Sequence, residues 1–376
     1  MKFSFFHLMP YTDAAASADW PVPNRGFDAE KAHGYYRGYL DAMIHAEDCG
    51  FDWVGCNEHY FSSYGLMANC NVIGGALAYA TKRIRIAMMG NLVPLNNPVR
   101  IAEEYAMLDC ISGGRLVAGL MRGIPHEYIA YHINPDESWS RQREAIELIL
   151  RCWTEPEPFG WQGEHFSFPQ ISIWPKPLQK PHPPLVISAS SIESARFAGE
   201  MRATMGMVLI SDLAMAKECV AVYREAARKA GWEPKPENIL IGMHTVIADT
   251  DQQAIAALRE AKKYFDQVLM GGPRTAGRLV LQKSRYYQEA ANAERMRDRL
   301  AKREAATLEQ QIEGGMIFCG SPESVVKQIR RVHGELGNGV FNFTMKVGNL
   351  PDAVVRRGME LFRDRVHPEV AGLGDG

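Results

Sequence analysis

Several common signatures are missing from this chain, and each absence removes a class of function. No two of its seven cysteines have CxxC spacing, and the count is odd. That pattern suits buried thiols in a reducing compartment and gives little support to a structural zinc site or a disulfide framework. No stretch reaches the roughly 18 consecutive apolar residues that mark a membrane span. The opening MKFSFFHLMPY has one lysine and a short apolar stretch but no small-residue cleavage site, so it reads as a strand and not as a secretion signal. Neither sign of charge dominates: 42 Lys plus Arg face 44 Asp plus Glu, a formal net charge of −2. Bulk nucleic-acid binding needs a basic surface that this balance does not supply. GxGxxG, the P-loop pattern and HExxH are all absent, which disfavours a dinucleotide-fold dehydrogenase, a P-loop enzyme and a helical metal pair. The expectation is a cytoplasmic protein without a metal and without nucleic-acid or membrane partners.

What is present is alternation. With 376 residues and 46% hydrophobic content the chain can bury a large core. Short β-rich runs are followed repeatedly by stretches with helical spacing. The strands read as about Lys2–Met9, FDWVGCN, IRIAMMGN, RLVAGLM, LVISAS, ATMGMVLI, ILIGMHTVIA and VFNFTMKV. The helical spacing is plain in Trp139, Ile146, Ile149, Leu150 and Trp153, and again in Val355, Met359, Phe362 and Val366. Eight strands each followed by a helix is the count for an α/β fold of the (β/α)8 TIM-barrel type. No composition shift marks a second domain, so residues 1–376 read as one barrel with insertions after strands four and seven. The first, about 155–184, is Pro- and aromatic-rich and has a candidate hairpin in GWQGEHFSF; the second, about 266–320, is mostly helical.

In such a barrel the reactive groups gather at the C-terminal ends of the strands. Those ends are His7 and Met9; Asn57, Glu58, His59 and Tyr60; Met89, Gly90 and Asn91; Met121, Arg122 and Gly123; Ala189, Ser190 and Ser191; and Lys346. Ser190, Ser191 and Ser194 open a helix, whose N–H groups and dipole make an anion site, and Arg122 ends the neighbouring strand. The alternative is that a serine merely caps the helix while Arg122 sits in a surface salt bridge. His59 could act as a base or donor, or be a satisfied structural histidine. Glu58 could brace a neighbouring element. His126 and His132 are six apart, which is not metal spacing on a helix. A metal amidohydrolase would want HxH on strand one, where His7 stands alone, and a retaining glycosidase needs a carboxylate pair that the strand ends lack. Met, Phe, Gly and Asn at the strand ends suit a flat aromatic ligand better than a sugar.

These residues carry a resemblance. The chain resembles the bacterial luciferase-like flavin-dependent monooxygenases in its opening strand, in GFDWVGCNEHYF, and most specifically in the block IRIAMMGNLVPLNNPVRIAEEYAMLDCISGGRLVAGLMRG. WPKPLQKPHPPLVISASSIESARFA and FCGSPESVVKQI are similar to the family's strand-five entrance and to the helix before strand eight. The usual Glu-His-His ending of strand two has Tyr60 in third place, and Met121 stands where luciferase has a cysteine, so the resemblance does not extend to light emission from a long-chain aldehyde. It implies that Arg122, Gly123, Ala189, Ser190, Ser191 and Ser194 hold the phosphate of FMN and that Met89, Gly90 and Asn91 lie against the isoalloxazine, with a cis peptide at Met89–Gly90. It implies His59 as the catalytic base, Phe6, Glu58, Tyr60 and Met121 as substrate-facing residues, and the second insertion as a lid. The chemistry implied is two-component: reduced FMN from a separate NAD(P)H:flavin reductase, O2, a flavin peroxide, and transfer of one oxygen atom to a small organic substrate by a homodimeric enzyme. A deazaflavin-dependent oxidoreductase and a non-catalytic flavin-binding protein are the rival expectations.

Overall fold

The computed structural model describes residues 1–210, 212–288 and 306–374. Eight parallel strands close into a barrel: β1 (Lys2–Phe6), β2 (Trp53–Cys56), β3 (Arg85–Met88), β4 (Leu116–Leu120), β7 (Leu185–Ser188), β8 (Thr204–Met207), β9 (Ile239–Ile247) and β11 (Val340–Thr344). Closure is made where Met205, Gly206 and Met207 pair with Ile239, Leu240 and Ile241. The strands are buried on both faces, which explains their near-continuous apolar runs. Phe3 and Phe5 point outward onto Phe51, Phe343 and Phe362. The alternate residues Ser4 and Phe6 point inward, where a Cβ on Gly55 would touch Phe6.

The first insertion forms the expected hairpin, β5 (Phe159–Gln162) and β6 (Ser167–Ile171), antiparallel and separate from the barrel. Glu144 of helix α5 (Ser138–Thr154) clamps it by accepting from Trp161 Nε1 and from the main-chain N–H groups of His165 and Phe166.

The second insertion departs from the sequence reading in one respect. It contains a ninth parallel strand, β10 (Ile317–Gly320), which pairs with the far half of β9 from His244 to Ile247. IFCG is too short to show a period, so it was legible only as the approach to a helix. Residues 289–305 of that insertion lie outside the described residues.

Helix boundaries follow local chemistry. Helix α1 (Ala29–His45) is capped by Asp28, which accepts from the N–H groups of Glu30 and Lys31. Helix α2 (Cys70–Ala80) follows the cap residue Asn69, whose side chain accepts from the N–H groups of Asn71 and Val72. Helix α3 (Pro98–Ser112) has Asn97 as cap, Pro98 in its first turn and Gly113 at φ 67° as its stop. The Ser-Gly-Gly-Arg turn after α3 lies at the N-terminal end of the barrel, away from the strand ends that carry chemistry. There Arg115 donates to the carbonyls of Ala78, Thr81 and Ile84, tying α2 to β3. The most specific block of the sequence therefore serves stability as much as function. No helix among the described residues is long and apolar enough to cross a membrane.

A buried histidine couples this fold to pH. His7 accepts the Met9 N–H on Nδ1 and packs on Tyr39. Burial, helped by the charge of Lys346, lowers its pKa from 6.5 to about 3. The unfolded chain takes up this proton near 6.5 while the folded chain refuses it until about 3. The contribution to stability is thus complete above that window and is lost as pH falls through it. The urea midpoint of the protein is expected to fall across the window. In His7→Asn, whose Oδ1 can still accept from Met9, the fall should be shallower; parallel pH curves would refute the assignment.

Candidate active site

All the nominated strand-end residues lie at one end of the barrel, because the strands are parallel. Phe6 is the last residue of β1 and is buried. The turn after β3 is built with care. Met89 is buried, its N–H returns to the Ala87 carbonyl, and Asn91 takes a left-handed φ of 37°. Asn91 and Asn71 exchange two amide hydrogen bonds, at 2.7 and 3.2 Å, which fixes that conformation. The Asn91 carbonyl accepts from the Met121 N–H, extending the β3–β4 pairing past the strands. A Cβ at Gly90 would stand 2.7 Å from Cys70 Sγ and 2.9 Å from the Asn57 carbonyl carbon. Glycine is required there by the wall behind the turn. The Met89–Gly90 bond is trans; the cis bonds among the described residues precede Pro21, Pro175 and Pro181.

Glu58 is buried. Its carboxyl accepts from the Tyr60 hydroxyl, and its other oxygen contacts the Cys70 N–H and thiol at 3.3 Å each. Burial raises its pKa, against the lowering effect of those hydrogen bonds. The Tyr60 ring meets Tyr131 edge-on at 4.6 Å. Glu58 thus braces the N-terminus of α2, the role that the residue pattern alone left open.

His59 is oriented by a residue that sequence reasoning missed. Its Nδ1 lies 2.7 Å from Oε1 of Glu127, which is fully buried, and its ring rests 4.4 Å from that of Tyr64. Oε2 of Glu127 accepts the Ile124 N–H at 2.7 Å. In the Nδ1-protonated tautomer His59 donates to this carboxyl group and leaves the Nε2 lone pair free. Glu127 sits in α4 (Pro125–Ala130), a short helix inside the run HEYIAYH. The histidines of that run lack metal spacing, and the glutamate between them carries the signal.

At the other side of the rim, the Arg122 N–H donates to Ser188 Oγ at 3.3 Å, and its guanidinium lies 4.7 Å over the ring of Trp139. Ser191 caps helix α6 (Ile192–Glu200), exchanging hydrogen bonds with Ser194. Ser190, just before it, is exposed, and Ala189 is buried. Ser191 thus serves as the helix cap, and Arg122 is engaged with an aromatic ring. Gly123, at φ 95°, turns the chain from Arg122 into α4. Buried Trp139 Nε1 has no hydrogen-bond partner among the described residues. Arginine, an indole N–H and a helix N-terminus form a donor-rich set that suits a phosphate, although Glu193 in the first turn of α6 opposes it.

Two further rim residues escaped the sequence reading. The apolar run ILIGMHTVIA extends to Ala248, but the pairing of β9 with β11 stops at His244, and that is where this strand meets the rim. His244 packs edge-on against Phe265 at 5.0 Å. His126 is buried and its pKa is lowered from 6.5 to about 4, chiefly by burial. Among the described residues no group of His, Cys, Asp or Glu is placed to hold a metal ion.

The start of the second insertion roofs the His59 side. Helix α9 (Gly271–Lys283) packs across α4, Tyr264 donates to the carbonyls of Thr12 and Ala14, and Asp136 accepts from Ser284 and from the Arg285 N–H.

Together these features define a closed (β/α)8 barrel whose rim joins an oriented histidine to an anion-suited donor set. The chain belongs to the luciferase-like monooxygenase family, whose model matches residues 18–338. The oxygenase component of the flavin-dependent trigonelline monooxygenase of Acinetobacter baylyi is 29% identical over 221 residues, 57% of this chain and 59% of that one. The chain spans little more than half the length of the curated relatives it matches, 53% and 59% for two of them. Among solved structures, the monooxygenase RslO1 from Streptomyces bottropensis is 26% identical with a TM-score of 0.77, covering 98% of this chain and 99% of that one. The oxygenating constituent of 3,6-diketocamphane monooxygenase from Pseudomonas putida, in complex with FMN, is 22% identical with a TM-score of 0.74 and covers 98% of each chain, a likeness of fold alone.

The His59–Glu127 bond makes a direct prediction. Nitrogen NMR of histidine-labelled protein should show His59 protonated on Nδ1, and Glu127→Gln should shift the tautomer ratio by on the order of tenfold, as for a charged hydrogen bond. An unchanged ratio would remove Glu127 as the orienting group.

Proposed function

We propose that this protein is an FMN-dependent monooxygenase that takes reduced FMN from a separate reductase and uses O2 to oxygenate a small organic substrate. The observation that carries the reading is the pairing of Arg122, Trp139 Nε1 and the α6 N-terminus at one side of the rim with the Glu127-oriented His59 at the other. Reduced FMN, when bound, supplies the electrons for activating dioxygen.

The chain's own residues do the rest. Arg122, Trp139, Ser190 and the first turn of α6 would hold the phosphate by charge and donated hydrogen bonds. Met89, Met121 and the Asn91 turn would offer an apolar surface to the ring. Glu127 keeps the His59 Nε2 lone pair available, so His59 can take a proton from the substrate and return it. α9 and the loop after β1 keep bulk water from that side, which protects a reactive intermediate from wasteful decay. The same reading has the enzyme work in the cytoplasm, in keeping with seven cysteines all present as free thiols.

A homodimer belongs to this proposal. The outer face of α2 and α3 carries Val72, Ala76, Tyr79, Met107, Cys110 and Ile111, all exposed, with Tyr79 at 86%. No charge interrupts this patch. Lys82 and Arg83 follow α2 at one end, and Glu103 and Glu104 lie toward the other. A second copy packed antiparallel would therefore bury the apolar face and bring unlike charges together. Light scattering should report twice the chain mass, and Met107→Arg should halve it; a monomeric wild type would refute the interface.

The flavin assignment is tested by binding. Arg122→Ala should weaken reduced FMN by about 1.5–3 kcal/mol, the value of a hydrogen bond to a charged group. An unchanged dissociation constant, or preferential binding of a deazaflavin to the wild type, would overturn it. Supplying reduced FMN and O2 with a metabolite extract, and searching by mass for the gain of one oxygen atom, would identify the substrate.

A further inference from the structure

Many arginines of this chain are spent on the fold. Arg85 and Arg115 donate to side chains and carbonyls around β3, Arg141 donates to the Pro94 carbonyl, and Arg274, Arg357 and Arg365 sit in ion pairs. Arg143, on α5, differs. Among the described residues it has no ion pair and no hydrogen bond, and its contacts are with two aromatic rings. Its guanidinium carbon lies 4.6 Å from the ring centroid of Phe197 and 5.9 Å from that of Trp139. Trp139 is one turn back on the same helix, and Phe197 comes from α6. The two rings meet edge to face at 6.4 Å and 83°, so the guanidinium sits where the two helices meet. Phe197 is buried, while Arg143 is exposed.

Such a contact orients a charge without neutralising it. A guanidinium laid on aromatic rings keeps its N–H donors for another partner. The place of this one is telling. The Trp139 ring that it touches also lies under Arg122, at 4.7 Å. One indole therefore carries a half-buried arginine on the rim and a second, exposed arginine further out. Glu193, in the first turn of α6, stands one turn before Phe197 and sets a negative charge at the approach to the donor set. The chain as a whole carries a formal charge of −2, so the molecule at large does not attract an anion. A local cation without a carboxylate partner offsets both.

We propose that Arg143 is the outer capture residue for the phosphate of FMN, drawing the anion past Glu193 toward Arg122 and the α6 N-terminus. A charge exposed at the edge of a site acts mainly on the association rate and its salt dependence, whereas a less exposed, hydrogen-bonding one acts mainly on dissociation. The two arginines on Trp139 thus divide the work: Arg143 selects phosphorylated flavins on approach, and Arg122 retains them. Riboflavin has no phosphate and gains nothing from Arg143. The inference rests on the FMN reading of the donor set.

Stopped-flow tryptophan fluorescence of the full chain with reduced FMN and reduced riboflavin, without oxygen, tests it. At low salt the wild type is expected to associate with FMN faster than with riboflavin, and added salt should close the gap as the Debye length falls below about 10 Å. Arg143→Gln should slow FMN association by about threefold to fivefold, flatten its salt dependence, and leave riboflavin and the FMN dissociation rate as they were. Arg143→Lys, which keeps the charge, should recover most of the rate. An Arg143→Gln protein that takes up FMN as fast as the wild type, slows both flavins equally, or changes only the dissociation rate would overturn the proposal. FMN and riboflavin binding alike to the wild type would overturn the phosphate reading and this inference together; a clear FMN preference with an unaltered Arg143→Gln would overturn the inference alone.

Discussion

The architecture depends on one seam, the three residue pairs that join β8 to β9. Without them the parallel sheet would have two unpaired edges, and the strand ends would fan out in place of forming a ring. Closure brings the turn after β3, the Arg122 loop, the α6 N-terminus and the His59 loop onto one rim. Every distance discussed for the site is downstream of that closure.

Within the rim, short contacts along the chain link the two working sides. Arg122, Gly123 and Glu127 lie in the one connection that runs from β4 into α4, so the group that suits a phosphate and the group that orients His59 are five residues apart. Gly123 permits the turn, and a Cβ there would stand 3.0 Å from Glu127 Oε2. Asn91, locked by Asn71, sets the height of this loop through its bond to Met121. Behind them Glu58, Tyr60 and Cys70 form a polar knot that holds the N-terminus of α2 against the same turn.

Much of this was legible in the residues. The eight barrel strands stand out because buried parallel strands are continuous apolar runs, and the hairpin is visible in the interrupted aromatic pattern around Gly163. β10 was not legible, since four residues carry no period and its pairing partner is distant in the chain. Strand ends nominated His59 and Arg122 correctly as rim residues. They could not supply Glu127, His126 or Trp139, which reach the rim from helices after β4, because a strand-end rule does not see side chains that arrive from a following helix. His244 was hidden for a different reason: β9 continues past the barrel to pair with β10, so the end of the apolar run and the rim do not coincide.

The prolongation of β9 has a consequence for how such a protein can diversify. The second insertion leaves the chain after β9, and β10 returns to hydrogen-bond with β9 itself. Both ends of the excursion are therefore sewn to one stave of the barrel. Residues between them can be exchanged, lengthened or shortened without disturbing the registry of the other staves. The chamber's canopy can thus be retailored to new guest molecules while the machinery beneath it keeps its alignment.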